Sequence, residues 1–185
     1  MTDPNLDIRK DAYNKFLDYP NLSYNCVAYL VQNEEMLWKL LKYNTPDAWN
    51  LPNLTKEEKG ALIYRGDPNE TDFRVFMDVG ADNSWTIESC ILRVSPLSVI
   101  PTNMVFGYVT MGFEVYSHYK INHLNNYQTR IDLASQRIIE VMNGSEVGGL
   151  GRLYFDQRGS RATKSIVIGS IPMKGRATVF CNYAV

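Results

Sequence analysis

The chain has 185 residues, 45% of them apolar, which predicts a globular protein of one domain or of one domain with a substantial appendage. Its 19 Lys and Arg nearly balance 20 Asp and Glu, so the formal charge of -1 excludes a broad electropositive surface, and any DNA contact is expected to be local. The apolar runs are far shorter than the ~20 residues of a membrane span and the N-terminus lacks a signal pattern, so we expect neither a membrane segment nor conventional secretion.

Residues 1–66 form the first predicted region, which is helical. In LSYNCVAYLVQNEEMLWKLLKYN the apolar residues recur at spacings of three, four and seven, with an interruption at residues 32–34. This pattern favours two helices that meet near Asn33. Asn33 is the predicted cap of the second helix, and Glu34 and Glu35 suit the positive end of its dipole.

A short third helix is predicted in LTKEEKGALIYRG. Thr55 and Glu58 have the spacing of a capping box, in which each side chain bonds the backbone amide of the other residue. Gly66 is the predicted end of this helix, because glycine adopts the left-handed conformation of helix ends without strain.

Residues 67–185 form the second predicted region, an antiparallel β domain. Its segments are rich in β-branched and aromatic residues and are punctuated by Pro, Gly and Asn, which is typical of strands. The clearest strand, MVFGYVTMGFEVYSHYKI, has apolar residues at alternate positions: Val105, Val109, Met111, Phe113 and Val115. The PTN sequence at residues 101–103 predicts a tight connection to the preceding strand, and so a long hairpin. Pro96 has no backbone donor, so it is expected at a bulge or an edge.

One helix, at about residues 126–143, interrupts the strands. Its sequence, NYQTRIDLASQRIIEVMNG, has one apolar face and several polar positions that are expected to face solvent: Arg130, Asp132, Gln136, Arg137 and Glu140. Gly144 is its predicted left-handed cap. The predicted fold class is therefore α+β, with a helical N-terminal region followed by an antiparallel β-sheet and one long helix packed across it.

The glycines of VMNGSEVGGLGRLYFD, at residues 141–156, raise the question of a phosphate-binding loop. Such a loop follows a strand and opens a helix, so that the positive end of the helix faces the phosphates. Here the order is reversed, because the helix precedes Gly148, Gly149 and Gly151. The stretch is therefore interpreted as a turn that permits positive φ and close backbone approach.

The cysteines and histidines give no pattern typical of a metal site, a disulfide framework or a catalytic triad. Cys26, Cys90 and Cys181 are far apart among apolar neighbours, so they are expected to be core or strand residues. His118 and His123 lack the spacing of a zinc motif and are expected at the surface or at the end of the hairpin. We therefore expect no cofactor, no metal and no enzymatic activity.

Acidic residues cluster at the junction of the two regions. Asp67, Glu70, Asp72 and Asp78 could bind a divalent cation, but their spacing does not match a calcium loop. A solvated linker is the favoured interpretation.

One basic loop, QRGSRATKS at residues 157–165, is the candidate site. It concentrates Arg158, Arg161 and Lys164 between two predicted strands. The simplest interpretation is a flexible surface loop. The functional alternative is a contact with a phosphate backbone or an acidic partner, which gains strength if the loop is repeated around a ring.

The region from about residue 87 to residue 185 resembles the connector proteins of tailed bacteriophages, especially tail-terminator or head-closure proteins. The resemblance rests on the hairpin strand MVFGYVTMGFEVYSH, the helix NYQTRIDLASQRIIEVMNG that ends in a short polar turn, and the glycine-containing return into a strand, EVGGLGRLYFD. The helical N-terminal region departs from a minimal terminator, which leaves an adaptor, a stopper or another neck component open.

The resemblance implies a structural virion protein of the phage neck, assembled in the host cytoplasm. It would form a homo-oligomeric ring, contact portal, adaptor or tail-tube proteins, and pass DNA through its channel. Arg158, Arg161 and Lys164 are then the candidates for contact with DNA or a neighbouring ring. Two alternatives stay open: a small-molecule-binding or enzymatic α+β domain with an unidentified ligand, and a cellular or mobile-element interaction module.

Overall fold

The computed structural model describes residues 21–66, 72–77, 88–101, 107–147, 152–154 and 174–184, and the fold is α+β as the sequence predicts. The helices are α1 (Leu22–Asn33), α2 (Met36–Lys42), α3 (Lys56–Ala61) and α4 (Arg130–Met142), with short 3-10 helices at Ala48–Asn50 and Tyr119–Ile121. The strands are β1 (Val75–Phe76), β2 (Cys90–Pro101), β3 (Gly107–His118), β4 (Leu153–Tyr154) and β5 (Lys174–Ala184). None of the helices described has the length and apolarity to cross a membrane.

The first two helices meet near Asn33 as predicted, but Asn33 is not the cap of the second. Asn33 is still the last residue of α1, and its side-chain amide donates to Tyr29 O at 2.9 Å. The chain becomes extended at Glu34, whose Oε1 accepts a hydrogen bond from the Leu37 backbone amide at 3.1 Å. Glu34 therefore satisfies an otherwise unpaired amide in the first turn of α2.

The capping box of the third helix is confirmed. Thr55 N donates to Glu58 Oε2 at 2.8 Å, and Glu58 N donates to Thr55 Oγ1 at 3.2 Å. The helix ends at Ala61, earlier than predicted, and Gly66 takes its positive φ of 91° in the segment that follows.

The five strands form one sheet in the order β1-β2-β3-β5-β4. The predicted hairpin is present as the antiparallel pair β2–β3, and β5 pairs antiparallel with β3 along its length. One pairing differs from the expected antiparallel sheet, because β1 runs parallel to β2 at Leu92 and Arg93. Residues 77–89 separate these two strands, and a connection of that length allows a parallel neighbour where a tight turn does not.

Pro96 lies at a bulge, as predicted. The β2–β3 register shifts between Pro96, which faces Met111, and Ser98, which faces Thr110. The shift puts Leu97 outside the paired positions and over Gly112, where an added Cβ would lie 2.9 Å from Leu97 Cδ1. Glycine at this position therefore leaves room for the bulged side chain.

The main core lies between one face of the sheet and the helices. Four of the alternate positions predicted to be apolar are fully buried in this core, namely Val109, Met111, Phe113 and Val115, and the fifth, Val105, lies outside the described residues. The four buried residues pack in one cluster with the apolar face of α4, which includes Ala134 and Ile138. Gly144 has a φ of 76° just beyond α4, in agreement with its predicted role.

Arg130 is not exposed to solvent as expected, but fully buried with a relative exposure of 0%. It is the first residue of α4, and its guanidinium bonds four backbone carbonyls: Ile121 O at 2.9 Å, Leu40 O at 2.6 Å, Tyr43 O at 2.7 Å and Thr45 O at 2.9 Å. Side chains at the start of a helix lean backwards, here towards the end of α2, where carbonyls lack helical partners. Burial lowers the pKa of Arg130.

Candidate interaction surfaces

The basic loop that the sequence singles out lies outside the described residues. Arg158, Arg161 and Lys164 all fall within residues 155–173, so their role as contacts for DNA or a partner stays a prediction. Three members of the acidic junction, Asp67, Glu70 and Asp78, also lie outside the described residues; Asp72 is exposed beside Arg74.

The three clustered glycines lie outside the described residues too, but the residues on either side of them pair with each other. Gly144 N donates to Leu153 O at 2.7 Å, and Leu153 N donates to Ser145 O at 2.9 Å. Glu146 and Arg152 form an antiparallel bridge one step further along. The described segments on the two sides of residues 148–151 therefore run antiparallel, while the predicted turn itself lies outside the described residues.

The two histidines occupy different environments. His118 ends β3 and is buried, with its ring 4.7 Å from that of Tyr119, whereas His123 is exposed. Within the described part of the chain, no group of three or more His, Cys, Asp or Glu side chains is arranged to hold a metal ion. Neither histidine therefore contributes to a described metal-binding cluster.

Cys26 and Cys90 are buried free thiols, which confirms their predicted core positions. Burial raises the pKa of Cys26 to about 12 and that of Cys90 to about 11. Both groups are therefore protonated near neutral pH, and a thiol is a poor nucleophile. Cys181 lies in β5, and its side chain is outside the described residues.

A groove of about 550 Å³ lies between α1, α3 and the end of β1, and we call it the α1–α3 groove. Its apolar surface includes Tyr24 and Val31 from α1, Ile63 after α3, and Met77 after β1. Tyr24 is 63% exposed, although it lies on the same helix as core residues. The groove is therefore an open, mainly apolar depression next to the core, large enough for a ligand or a partner side chain.

The polar side chains of the α1–α3 groove are Gln32, Lys56 and Arg65, all exposed. Arg65 Nη2 donates to Gly60 O at 3.3 Å, which folds the arginine back over α3. Two of these three groups are cationic, and no carboxylate is among the described lining residues. An occupant with an apolar core and an acidic border would suit this surface.

Lys59 holds the two helical walls of the groove together. Its ammonium is buried and bonds Val31 O at 3.0 Å, Glu34 O at 2.9 Å and Glu35 Oε1 at 2.7 Å. These partners lie at and just after the end of α1, where a positive charge is favourable. The position of α3 against α1, and with it the shape of the groove, is therefore fixed by a charged group.

A second surface feature is the turn at residues 123–129, which we call the Tyr127 turn. Tyr127 has a φ of 65°, a left-handed conformation that is uncommon for tyrosine, and its side chain is fully exposed at 103% relative exposure. His123 and Thr129 close the turn as an antiparallel bridge. The turn therefore presents a single aromatic ring to solvent.

The Tyr127 turn is held by its own polar groups and by the helical region. Leu124 N donates to Gln128 O at 3.0 Å, and Gln128 N donates to Asn126 Oδ1 at 3.2 Å. Asn125 N donates to Pro46 O at 3.0 Å, and the indole of Trp49 donates to Asn125 Oδ1 at 2.6 Å. The conformation is thus fixed before any partner binds.

Sequence reasoning did not find either surface. The groove depends on residues up to 53 positions apart, from Tyr24 to Met77, and no local pattern brings them together. The presence of a turn at Tyr127 could have been predicted in part, because the sequence NNYQT has paired asparagines followed by a helix-capping threonine, which is typical of a tight turn. The left-handed conformation of tyrosine itself has no sequence signature.

Comparison with known protein families gives a match over most of the chain. A family model described as YomW matches residues 34–166, more than half of the chain, and covers the described elements from α2 to β4. No curated protein and no solved structure matches the chain significantly. The family name is phage-derived and of the Bacillus prophage type. The chain therefore belongs to the YomW family and is a phage-associated protein.

Proposed function

We propose that this protein is a structural component of the phage neck, which forms a ring at the head-to-tail interface, joins portal and tail, and lets DNA pass. The family match supports the phage association, and the observation that carries the neck assignment is the order of the elements. Residues 34–166 include the β2–β3 hairpin, α4 and the turn into β4, the elements in which the chain resembles neck proteins.

The construction of the fold supports a role in assembly. Arg130 and Arg137, both on α4, tie that helix to the helical region through buried or half-buried hydrogen bonds. The described residues also include several exposed tyrosines, among them Tyr24, Tyr119 and Tyr127. Tyrosine supplies large contact area at low conformational cost, so it is enriched at protein interfaces.

In this account the protein acts by binding, without enzymatic activity, cofactor or metal. Its partners are further copies of itself and the portal, adaptor or tail-tube proteins, and its place is the virion. Arg158, Arg161 and Lys164 would contact DNA or a neighbouring ring. Because the chain is close to neutral overall, that contact would be local and repeated around the ring.

Deletion of the gene from its phage tests the proposal. We expect the lysate to contain DNA-filled or emptied heads separate from tails, and expression of the wild-type protein in trans to restore complete particles. Complete, infectious virions in the absence of the protein would contradict the proposal. Negative-stain images and plaque counts give the two readouts.

The α1–α3 groove favours a second candidate, a small-molecule-binding domain, because about 550 Å³ is within the usual range of ligand sites. The probe 1-anilinonaphthalene-8-sulfonate combines an apolar ring system with an anion that suits Lys56 and Arg65. Saturable one-to-one binding that Ile63→Asp abolishes, together with normal virion assembly after gene deletion, would favour this candidate. If the probe does not bind, the groove gives no support to a small-molecule-binding function.

A further inference from the structure

The conformation of Tyr127 is unexplained by the chain's own packing. A left-handed backbone costs free energy for tyrosine, whereas asparagine or glycine adopts it more readily. Packing of the Tyr127 side chain does not offset this free-energy cost within the described part of the chain, because the side chain is fully exposed. A strained residue with an uncovered aromatic ring is the kind of outlier from which a functional contact can be inferred.

The Tyr127 turn also has the rigidity of a binding element. Its backbone is fixed by the Leu124–Gln128 bond, the Asn126 side chain and the contact with Trp49. Docking such a turn costs little conformational entropy, since the loop is already ordered. Aromatic anchors of this type dominate the affinity of many protein interfaces.

The α1–α3 groove has the complementary properties. It is concave and apolar, and with about 550 Å³ it has room for a tyrosine side chain and its neighbours in the turn. The charges near the Tyr127 turn and those of the groove are also of opposite sign. Asp132, exposed in the first turn of the α4 helix that follows the Tyr127 turn, is acidic, while the groove has Lys56 and Arg65 at its exposed positions.

We propose that the Tyr127 turn of one copy docks in the α1–α3 groove of the next copy. The two surfaces are different parts of the same chain, so the contact is heterologous and generates a ring when the rotation between copies closes. This inference rests on the proposed ring function and assigns the contact that builds the ring. Tyr127 is its anchor, and Tyr24, Ile63 and Met77 receive the ring of the tyrosine.

The first test compares Tyr127→Asn with Tyr154→Asn in the full-length protein. Asparagine suits the left-handed backbone, so Tyr127→Asn keeps or raises the melting temperature while it removes the aromatic anchor. Sedimentation velocity over a concentration series, with and without portal, should show self-association weakened by about 30-fold or more, the effect of losing an interface hot spot. Tyr154→Asn removes another exposed tyrosine and should assemble as wild type. Unchanged assembly of Tyr127→Asn would overturn the inference.

The second test detects the contact directly. Gln128→Cys places a thiol in the Tyr127 turn, and Gln32→Cys places one at the groove; the two proteins are given different mass tags and mixed under oxidation. We expect a disulfide-linked heterodimer, and none when Asn143→Cys at the end of α4 replaces Gln32→Cys. Equal yields from the two mixtures, or no cross-link from either, would contradict docking in the groove.

The two tests separate this inference from the function on which it rests. Rings that form in both wild type and Tyr127→Asn, without the Gln128–Gln32 cross-link, overturn the docking and leave the neck ring standing. A wild-type protein that forms the cross-link but makes no ring with or without portal supports the docking and contradicts the proposed function.

Discussion

Glu34 and Arg137 are 103 positions apart in the sequence, yet their side chains form two hydrogen bonds, from Arg137 Nε to Glu34 Oε1 at 3.1 Å and from Nη2 to Oε2 at 3.0 Å. The Glu34 side chain is fully buried and that of Arg137 is partly exposed. Glu34 also caps α2 through Leu37 N. One carboxylate therefore joins the α1–α2 junction to the long helix on the sheet.

Removing Arg137 should destabilise the protein strongly, because it leaves the Glu34 carboxylate buried without its cation. We expect Arg137→Met to lower the free energy of unfolding by about 3 kcal/mol. Urea denaturation followed by far-ultraviolet circular dichroism measures this loss. A loss below about 1 kcal/mol would show that groups other than Arg137 stabilise the buried Glu34 carboxylate, and would contradict this prediction.

A double-mutant cycle isolates the pair. Glu34→Gln keeps an acceptor for Leu37 N but removes the charge, so the double variant with Arg137→Met should recover part of the loss seen in Arg137→Met alone. Additive effects of the two substitutions would contradict a direct interaction between these side chains.

Replacing Arg130 even by lysine, the other long cationic residue, should destabilise the protein. Lysine has one ammonium where arginine has a planar fork, so Arg130→Lys leaves at least one of the four carbonyls at Ile121, Leu40, Tyr43 and Thr45 unsatisfied. We expect a loss of about 2–4 kcal/mol in unfolding free energy, on the scale of other buried polar losses. Arg152→Lys, at an exposed position, is the matched control and should change stability by less than about 0.5 kcal/mol.

The buried thiols predict a loss of stability at alkaline pH. Burial raises the pKa of Cys26 from 9.0 to about 12 and that of Cys90 to about 11, so above pH 9 the unfolded chain releases protons that the folded protein retains. The unfolding free energy therefore falls as the pH rises from about 9 towards the folded pKa values. Denaturation of wild type at pH 8 and pH 10 should show a larger drop than in the Cys26→Ala, Cys90→Ala variant. Equal drops would contradict the assignment.

The basic loop predicts an effect on assembly and not on folding. Reversing Arg158, Arg161 and Lys164 to glutamate should leave the melting temperature unchanged while it lowers infectivity in a complementation assay, because the proposed contacts with DNA or a neighbouring ring would be repeated in every copy. The control reverses Lys42 and Arg152, exposed residues outside that loop. Full infectivity of the loop variant would remove these residues from the proposed interface.

The local features of the fold could be predicted because their signals are local. The Thr55–Glu58 box, the alternation of β3, the bulge at Pro96 and the left-handed Gly144 each depend on a few adjacent residues. Each was found in the expected place or within a few residues of it.

Three features that the sequence did not predict depend on residues that are far apart in the chain: the burial of Arg130, the capping of α2 and the α1–α3 groove. Arg130 has the position of a solvent-facing residue on a helical wheel, but the carbonyls that bury it belong to α2 and the segment after it, up to 90 positions away. Asn33 does not cap α2 because Glu34, held by Arg137 from α4, occupies the start of that helix. The α1–α3 groove requires the same kind of long-range information, so the candidate docking surfaces became visible only in the folded chain.

The central claim, a ring at the phage neck, is tested most directly by the mass of the purified protein, alone and mixed with the portal of the same phage, by light scattering with negative-stain imaging. The account predicts closed rings, either in solution or as a monomer that joins the portal as a ring. A protein that stays monomeric at every concentration and binds no neck component would contradict it.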